Sequence, residues 1–411
     1  MQEKDNSEEC LKKLNFIKTE KFLIFEQVTL INQHMKSNFI SNDEPQNEFE
    51  GPEKNLQIIF SMTSSSLLQV PQSTWEKMLD NIHCTIISRK SNESCTSFIL
   101  SESSLFVFKD RIILKTCGTI PLLLSIDEII QIGQSNNMDL AAVLYWRKNF
   151  IHPEKQFFPH KSFLSEVKFL DSRFGEDNSQ KVQCGPFSQD HWYFYYVELN
   201  NKIFRPVFNT FEMKMHEIHP GISENFWIEN FGKENQIINK VRNIIPDASV
   251  DEFFFDPCGY SMNALFGNTE EYETIHITPE NKCSYVSFEA NHSNSLKDAS
   301  KMLNEVLQLF HPLSVIGVEI SSEPQTATYK QSNEYVETCP ISNYNLNGLH
   351  ITFWSYIMKD ANSHPLIPVA EKRNKYLSQT STHEIGNYSG LEPPPNSNFF
   401  LTRFDNPIIL I

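Results

Sequence analysis

The sequence predicts an α+β fold built mainly on antiparallel sheet. Three observations point there. Segments with strand character outnumber helical ones, so the helices are too few to cross over between all the strands, as a parallel sheet requires. Apolar runs also come in pairs joined by short polar turns, as hairpins do. Val107-Phe108 and Ile112-Ile113 flank Lys109-Asp110-Arg111, and the runs 274–278 and 285–289 flank Pro279-Glu280-Asn281-Lys282. Only 13 glycines are present, with no G-x-G-x-x-G and no P-loop, which argues against a Rossmann-type nucleotide site.

Taken in order, residues 1–46 look peripheral, being polar and charged apart from Phe22-Leu23-Ile24-Phe25 and Val28-Thr29-Leu30. Folding begins near Phe49-Glu50-Gly51-Pro52-Glu53, and Leu56-Gln57-Ile58-Ile59-Phe60 reads as a strand. Ser73-x-x-Glu76 has the form of a capping box. The helix after it would place Trp75, Met78, Leu79 and Ile82 on one face. Residues 84–117 read as three strands. A three-residue loop at Lys109-Asp110-Arg111 pairs 108 with 112, 107 with 113 and finally Ser103 with Cys117, which puts them about 4.5–5.5 Å apart. Ser162 opens a helix carrying Phe163, Val167, Leu170 and Phe174, with Gly175 as its stop. Residues 192–199 form an aromatic strand. A long helix presents Leu296, Leu303, Val306, Leu307 and Phe310 before Pro312, and the run 315–320 is again a strand. Residues 323–333 and 360–398 are polar and loop-like, and no internal repeat is visible.

With 411 residues, 40% hydrophobic and 12% aromatic, the chain can bury a sizeable core as one large or two ordinary domains. A formal net charge of −16 argues against a nucleic-acid surface and suits small cationic ligands. The eight cysteines form no C-x-x-C and no His pair supplies zinc spacing, so no metal is expected. The stretch from Met1 to Cys10 is too acidic and polar for a signal peptide, and no apolar run approaches the roughly 20 residues of a membrane span. A reducing cytoplasm with free thiols is the expectation.

The chemistry concentrates in a few places. Leu100-Ser101-Glu102-Ser103-Ser104 is framed by Phe98-Ile99 and Leu105-Phe106-Val107-Phe108, so a serine cluster lies where strands are expected. A hydroxyl held beside a peptide carbonyl can attack its own backbone. Thr274, His276 and Thr278 share one strand face, with Ile275 and Ile277 on the other. Each residue alone has a plain reading: His276 a satisfied structural histidine, Cys117 a small buried residue, Ser103 a turn serine, Phe49 and Phe255 core, Glu50 and Glu53 the solvated start of an element.

The combination is more specific. Phe49-Glu50-Gly51-Pro52-Glu53-Lys54, Leu100-Ser101-Glu102-Ser103-Ser104, Lys115-Thr116-Cys117-Gly118-Thr119, Cys258-Gly259-Tyr260-Ser261-Met262-Asn263 and Thr274-Ile275-His276-Ile277-Thr278-Pro279-Glu280 occur in this order, extended by Tyr285-Val286-Ser287-Phe288-Glu289. Over roughly residues 47–350 the chain resembles the eukaryotic S-adenosylmethionine decarboxylase proenzymes. The resemblance implies a four-layer α/β/β/α sandwich of two face-to-face antiparallel sheets, thought of as a duplicated half. It divides the chain into an N-terminal extension (1–46), a catalytic domain (47–360) and a C-terminal extension (361–411).

It also implies self-cleavage between Glu102 and Ser103, which turns Ser103 into a pyruvoyl group, the cofactor. That group holds S-adenosylmethionine as a Schiff base for decarboxylation, giving the aminopropyl donor for spermidine and spermine synthesis. By the same resemblance His276 is the processing base, Ser261 its hydroxyl partner, Cys117 the proton donor in decarboxylation, and Glu50 and Glu53 required acids. Phe49 and Phe255 sandwich the adenine, Glu280 binds the ribose, and Glu102 ends the small chain beside the substrate. Ser101 and Ser104 are expected to be bystanders. Thr210, Glu212 and Glu289 match part of the family's acidic diamine site. Gln57 and Val207-Phe208 stand where acids are common, so putrescine should stimulate weakly or not at all. The partners implied are the substrate, the two cleaved chains and a homodimer of the cleaved pair. Two alternatives remain: an uncleaved regulatory paralogue that activates a catalytic partner, and a Ser-His hydrolase, which the missing G-x-S-x-G elbow disfavours.

Overall fold

The computed structural model describes residues 51–61, 64–199, 208–233, 235–280, 284–291, 299–324 and 334–359. Phe49, Glu50, Val207, Leu296, the predicted N-terminal segment, most of the 323–333 loop and the chain from 360 onward lie outside the described residues.

Sixteen strands form two eight-stranded sheets among the described residues. The first contains β1 (Lys54–Phe60), β2 (Ile86–Ser91), β3 (Cys95–Leu100), β4 (Ser103–Phe108), β5 (Arg111–Thr116), β6 (Leu140–Lys148), β7 (Ser179–Cys184) and β8 (Trp192–Glu198), ordered β2-β3-β4-β5-β1-β6-β8-β7. The second contains β9 (Asn209–His216), β10 (Ala248–Phe254), β11 (Tyr260–Phe266), β12 (Tyr272–Thr278), β13 (Tyr285–Ala290), β14 (Ser314–Ser321), β15 (Tyr335–Leu346) and β16 (Leu349–Met358), ordered β10-β11-β12-β13-β9-β14-β16-β15. Adding eight to each strand of the first sheet gives the second, so the topology is duplicated although the sequence shows no repeat. The neighbouring strands pair antiparallel.

Both faces of the central strands are covered, which explains why β1, β4, β11 and β13 are buried at every position. One core lies between the sheets and joins Ile59, Phe106, Trp146 and Phe194 to Leu265, Val318 and Phe353. A second lies behind the first sheet, under α1 (Gln72–Asp80), α2 (Ile126–Ser135) and α3 (Phe163–Phe174). A third lies behind the second sheet, where α4 (Pro220–Ser223), α5 (Gln236–Arg242) and α6 (Ala299–Phe310) contribute Ile222, Ile238, Val241, Leu303 and Phe310. The layers are therefore α/β/β/α. Removing each such large apolar side chain from water contributes about 1.5–3 kcal/mol.

The local expectations fare unevenly. Ser162 caps α3 by accepting from Ser165 N, and Gly175 ends it at φ 85°, as the sequence suggests. Ser73 is not a cap: α1 starts at Gln72 after Pro71, whose fixed φ leads the chain into the first turn, although Trp75, Met78 and Leu79 do face the core. Residues 84–117 hold four strands rather than three, because the polar run of β2 pairs with β3 as an edge. The β4–β5 turn has two residues, Lys109 and Asp110, instead of three. The register accordingly slips by one, and Ser103 faces Thr116, not Cys117.

Candidate active site

Alternation along the strands builds a polar patch inside the sandwich. On β11 Ser261 and Asn263 share a face, on β12 His276 and Thr274 do, and the register sets Ser261 beside His276 and Asn263 beside Thr274. The first two residues of β4 reach this patch from the opposite sheet. Ser103 Oγ lies 3.1 Å from His276 Nε2, and Ser261 Oγ lies 2.7 Å from His276 Nδ1.

Neighbours on a strand normally point to opposite faces. Ser103 breaks that rule because its φ is 131°, a region costly for any residue with a side chain. Ser104 Oγ therefore also lies 3.1 Å from His276 Nε2. Ser104 is thus part of the site rather than a bystander. Ser101 lies in the turn before β4, its Oγ accepting from Thr85 N at 3.1 Å.

Desolvation pushes the partly buried His276 down to about 4, with Lys115 and Lys214 acting in the same direction and Glu53 against it. The imidazole is neutral at pH 7 and can accept a proton. Its Nδ1 meets a hydroxyl where a catalytic triad would place a carboxylate, which further disfavours the hydrolase alternative.

The one-residue slip gives Cys117 a closer role than the predicted pairing. Cys117 sits opposite Glu102, and its N–H donates to Glu102 O at 3.0 Å. Its Sγ–H reaches the same oxygen at 3.3 Å and Glu102 Oε2 at 3.7 Å. Burial first, then the neighbouring Glu102 and Glu53, pushes the thiol well above its ordinary range, so it is a protonated donor. Burial likewise raises the Glu102 carboxyl.

Glu53 is buried between the sheets. Burial disfavours its charge, yet Lys214 and Lys115 hold its carboxyl below the usual range. Lys214 and Ser287 Oγ donate to it, as does Tyr285 OH at 2.8 Å. From Glu53 a chain of alternating charge crosses the interior. Lys214 also pairs with Glu212 at 2.7 Å, Glu212 with Lys115 at 3.2 Å, and Lys115 with Glu289. Trp146 Nε1 donates to Glu212 at 2.6 Å and Tyr272 OH to Glu289 at 2.7 Å. The predicted acidic residues Glu212 and Glu289 are therefore already matched by lysines. Buried Thr210 lies on the same face of β9, and Phe208 packs edge-on against Tyr196 at 5.8 Å. The sequence reading missed Lys115 and Lys214. For Lys214 the signal was there in the alternation of Thr210, Glu212 and Lys214 along one strand.

Phe255 sits just beyond β10, where its N–H donates to Gly259 O at 2.9 Å. Gly259 has φ 121°, and a Cβ there would lie 3.4 Å from Phe255 Cβ, so glycine suits this tight loop. Glu280 is exposed just past the end of β12.

The sequence model of the family described as adenosylmethionine decarboxylase matches residues 46–362. The chain is 39% identical over 280 residues to the S-adenosylmethionine decarboxylase proenzyme of Dictyostelium discoideum, covering 64% of this chain and 72% of that protein. Identity to the proenzyme of Onchocerca volvulus is 40% over 287 residues, covering 67% and 78%. For the Drosophila melanogaster proenzyme it is 38% over 282 residues, covering 64% and 80%.

Proposed function

Because this chain belongs to the adenosylmethionine decarboxylase family, we propose that it cuts itself between Glu102 and Ser103 and then removes carbon dioxide from S-adenosylmethionine. Residues 47–360 form the catalytic domain on this reading. The observation that carries it is the convergence on one peptide bond of a hydroxyl, a neutral base and two donors. Ser103 Oγ is 3.1 Å from His276 Nε2, and the Glu102 carbonyl oxygen receives both Cys117 hydrogen bonds.

The steps follow from those contacts. His276 Nε2 takes the Ser103 hydroxyl proton while Oγ attacks the Glu102 carbonyl carbon. The oxygen gains negative charge where the Cys117 N–H and S–H already point, as in an oxyanion hole. Breaking the Glu102–Ser103 C–N bond completes the exchange of amide for ester and relieves the backbone strain at Ser103. His276 returns its proton to the leaving nitrogen, and, neutral again, takes the Ser103 α-hydrogen as the elimination expels the Glu102 carboxylate. Addition of water and release of ammonia leave a keto group at residue 103. Ser261 holds the imidazole through Nδ1 and fixes which nitrogen faces Ser103.

Ser103 fits the pyruvoyl precursor, since its hydroxyl meets the base and its backbone is strained. When formed, a pyruvoyl group supplies an electron sink for loss of carbon dioxide from an α-amino acid. The chain's own residues do the rest on this reading. The neutral Cys117 thiol delivers a proton, Phe255 with Phe49 stacks the adenine, and Glu280 accepts from the ribose hydroxyls. Glu50 and Glu53 keep the pocket anionic toward a sulfonium substrate. Lys115 and Lys214 stand among Glu53, Glu212 and Glu289, so at most one negative charge is left there for a dication to neutralise.

A denaturing gel with intact-mass measurement tests the reading. Purified protein should give a 102-residue chain and a 309-residue chain whose first residue lacks an amine. A single uncut chain of 411 residues would refute it.

A further inference from the structure

Polar groups of the site stand in one row across the second sheet. The register sets Ser261 opposite His276, His276 opposite Ser287, and Ser287 opposite Lys214. The outer end of that row is Phe253, opposite Ser261 on the edge strand β10. Directly opposed residues share a face of the sheet, so Phe253 faces the space between the sheets. Its neighbours agree with that direction. Asp251 Oδ2 accepts from Ser88 Oγ of the opposite sheet at 2.7 Å, whereas Phe254 joins the core behind the second sheet. Ser261 is buried, but Phe253 remains 37% exposed, an aromatic ring at the open margin of the interior. Two residues on, the Phe255 ring meets it with centroids 4.9 Å apart and planes at 76°. That is the edge-to-face arrangement aromatic pairs prefer. The Phe255 N–H bonded to Gly259 O fixes the chain there but leaves the side-chain torsions of a half-buried ring to be set by its neighbours.

We propose that Phe253 is a positioning residue for the nucleoside: its ring sets the plane of Phe255, so that the adenine of S-adenosylmethionine meets a stacking surface already in place. The inference rests on the reading that Phe255 stacks the adenine. A loose ring must be ordered when the ligand binds, and that ordering subtracts from affinity. A ring held beforehand loses less. The effect falls on binding rather than on bond breaking, because Ser261 and His276 hold each other at 2.7 Å without the ring. It also accounts for an exposed phenylalanine at the end of a row whose other members are polar.

The test uses the purified, self-cleaved protein and two measurements. One is KM and kcat for S-adenosylmethionine. The other is the dissociation constant of methylthioadenosine, which carries the nucleoside without the amino acid. Phe253→Leu keeps apolar bulk and removes the ring. It should raise KM and the dissociation constant together by about three- to tenfold, the scale of one aromatic pair, with kcat within about twofold of wild type. Phe253→Tyr keeps the ring and should stay within about twofold on both measurements. In a Phe255→Ala background Phe253→Leu should add less than about twofold, because the ring it acts through is gone. An unchanged dissociation constant in Phe253→Leu, a fall in kcat with KM kept, equal losses in Leu and Tyr, or a full further loss in the Phe255→Ala background would each overturn the proposal. Slowed self-cleavage in Phe253→Leu would overturn it too, since the ring would then serve Ser261 beside it. Phe255→Ala separates the two readings. If it leaves methylthioadenosine binding unchanged, the adenine reading falls and this proposal with it. If it weakens binding while Phe253→Leu does not, this proposal alone falls.

Discussion

Ser103 and His276 stand on topologically equivalent strands, β4 of one sheet and β12 of the other, and meet across the sandwich at 3.1 Å. The duplicated topology thus brings the proposed nucleophile and the proposed base together from corresponding strands of the two sheets. Each is held by its own half, Ser103 through the β4–β5 pairing and His276 through Ser261 on β11. The pair is set before any substrate arrives.

The base must be neutral to act, which fixes the pH dependence of cleavage. Desolvation, Lys115 and Lys214 lower His276 to about 4 against the opposing Glu53. Cleavage should be flat from pH 8 to about 5 and should fall about tenfold per unit below 4. Time courses of fragment appearance across pH check this, and an inflection near the ordinary histidine value of 6.5 would contradict it. Glu53→Gln removes the anion that raises His276 and should move the inflection further down.

Cys117 gives a split between two activities. Its backbone N–H on Glu102 O is kept in an alanine variant, while its thiol is not. Cys117→Ala should therefore slow cleavage about tenfold yet lower decarboxylation by about a hundredfold or more, the scale of a lost general acid. Gel time courses and carbon dioxide release measure the two separately. Because burial keeps the thiol neutral, iodoacetamide should alkylate it slowly even at pH 9. Rapid labelling at pH 7 would mean that the sulfur is a thiolate and cannot be the proton donor.

The charge chain predicts indifference to diamines. Lys214 pairs with Glu53 and Glu212, and Lys115 with Glu212 and Glu289, so two lysines already stand among the three carboxylates. Millimolar putrescine should leave decarboxylation unchanged, and a large stimulation would refute this. Lys214→Leu leaves buried carboxylates short of a cation and should cost about 3–5 kcal/mol in urea unfolding. That variant should regain stability with putrescine, which wild type should not.

Parts of this were legible from residues alone. The ends of α3 could be placed because Ser162 and Gly175 satisfy backbone groups locally. The β4–β5 register could not, because Lys109-Asp110 carries no glycine or asparagine to mark a two-residue turn. That single residue moved Cys117 from Ser103 to the Glu102 carbonyl. Lys115 and Lys214 escaped because a lysine in a strand ordinarily faces water. Glu212 and Glu289 lie far from Lys115 in sequence, and Glu53 lies far from Lys214. The duplicated topology left no trace in residue identity, since the pattern of strand neighbours constrains burial more than it constrains which side chain is used. Asn263 lies within the run Cys258–Asn263, but its contacts with Ser104 and Thr274 exist only because β11, β12 and β4 meet.

The backbone at Ser103 makes the last prediction. A φ of 131° is open to glycine and costs a residue with a Cβ about 1–3 kcal/mol. Ser103→Ala and Ser103→Gly both lack the hydroxyl, so both should remain single uncut chains and can be compared directly. Glycine escapes the strain but loses about 0.5–1 kcal/mol through the greater freedom of its unfolded chain. The net expectation is that Ser103→Gly is more stable than Ser103→Ala by about 1 kcal/mol in urea unfolding. At an ordinary strand position the order is reversed, because glycine weakens strand interiors. An alanine variant as stable as the glycine one, or more so, would show that Ser103 holds no strain for cleavage to release.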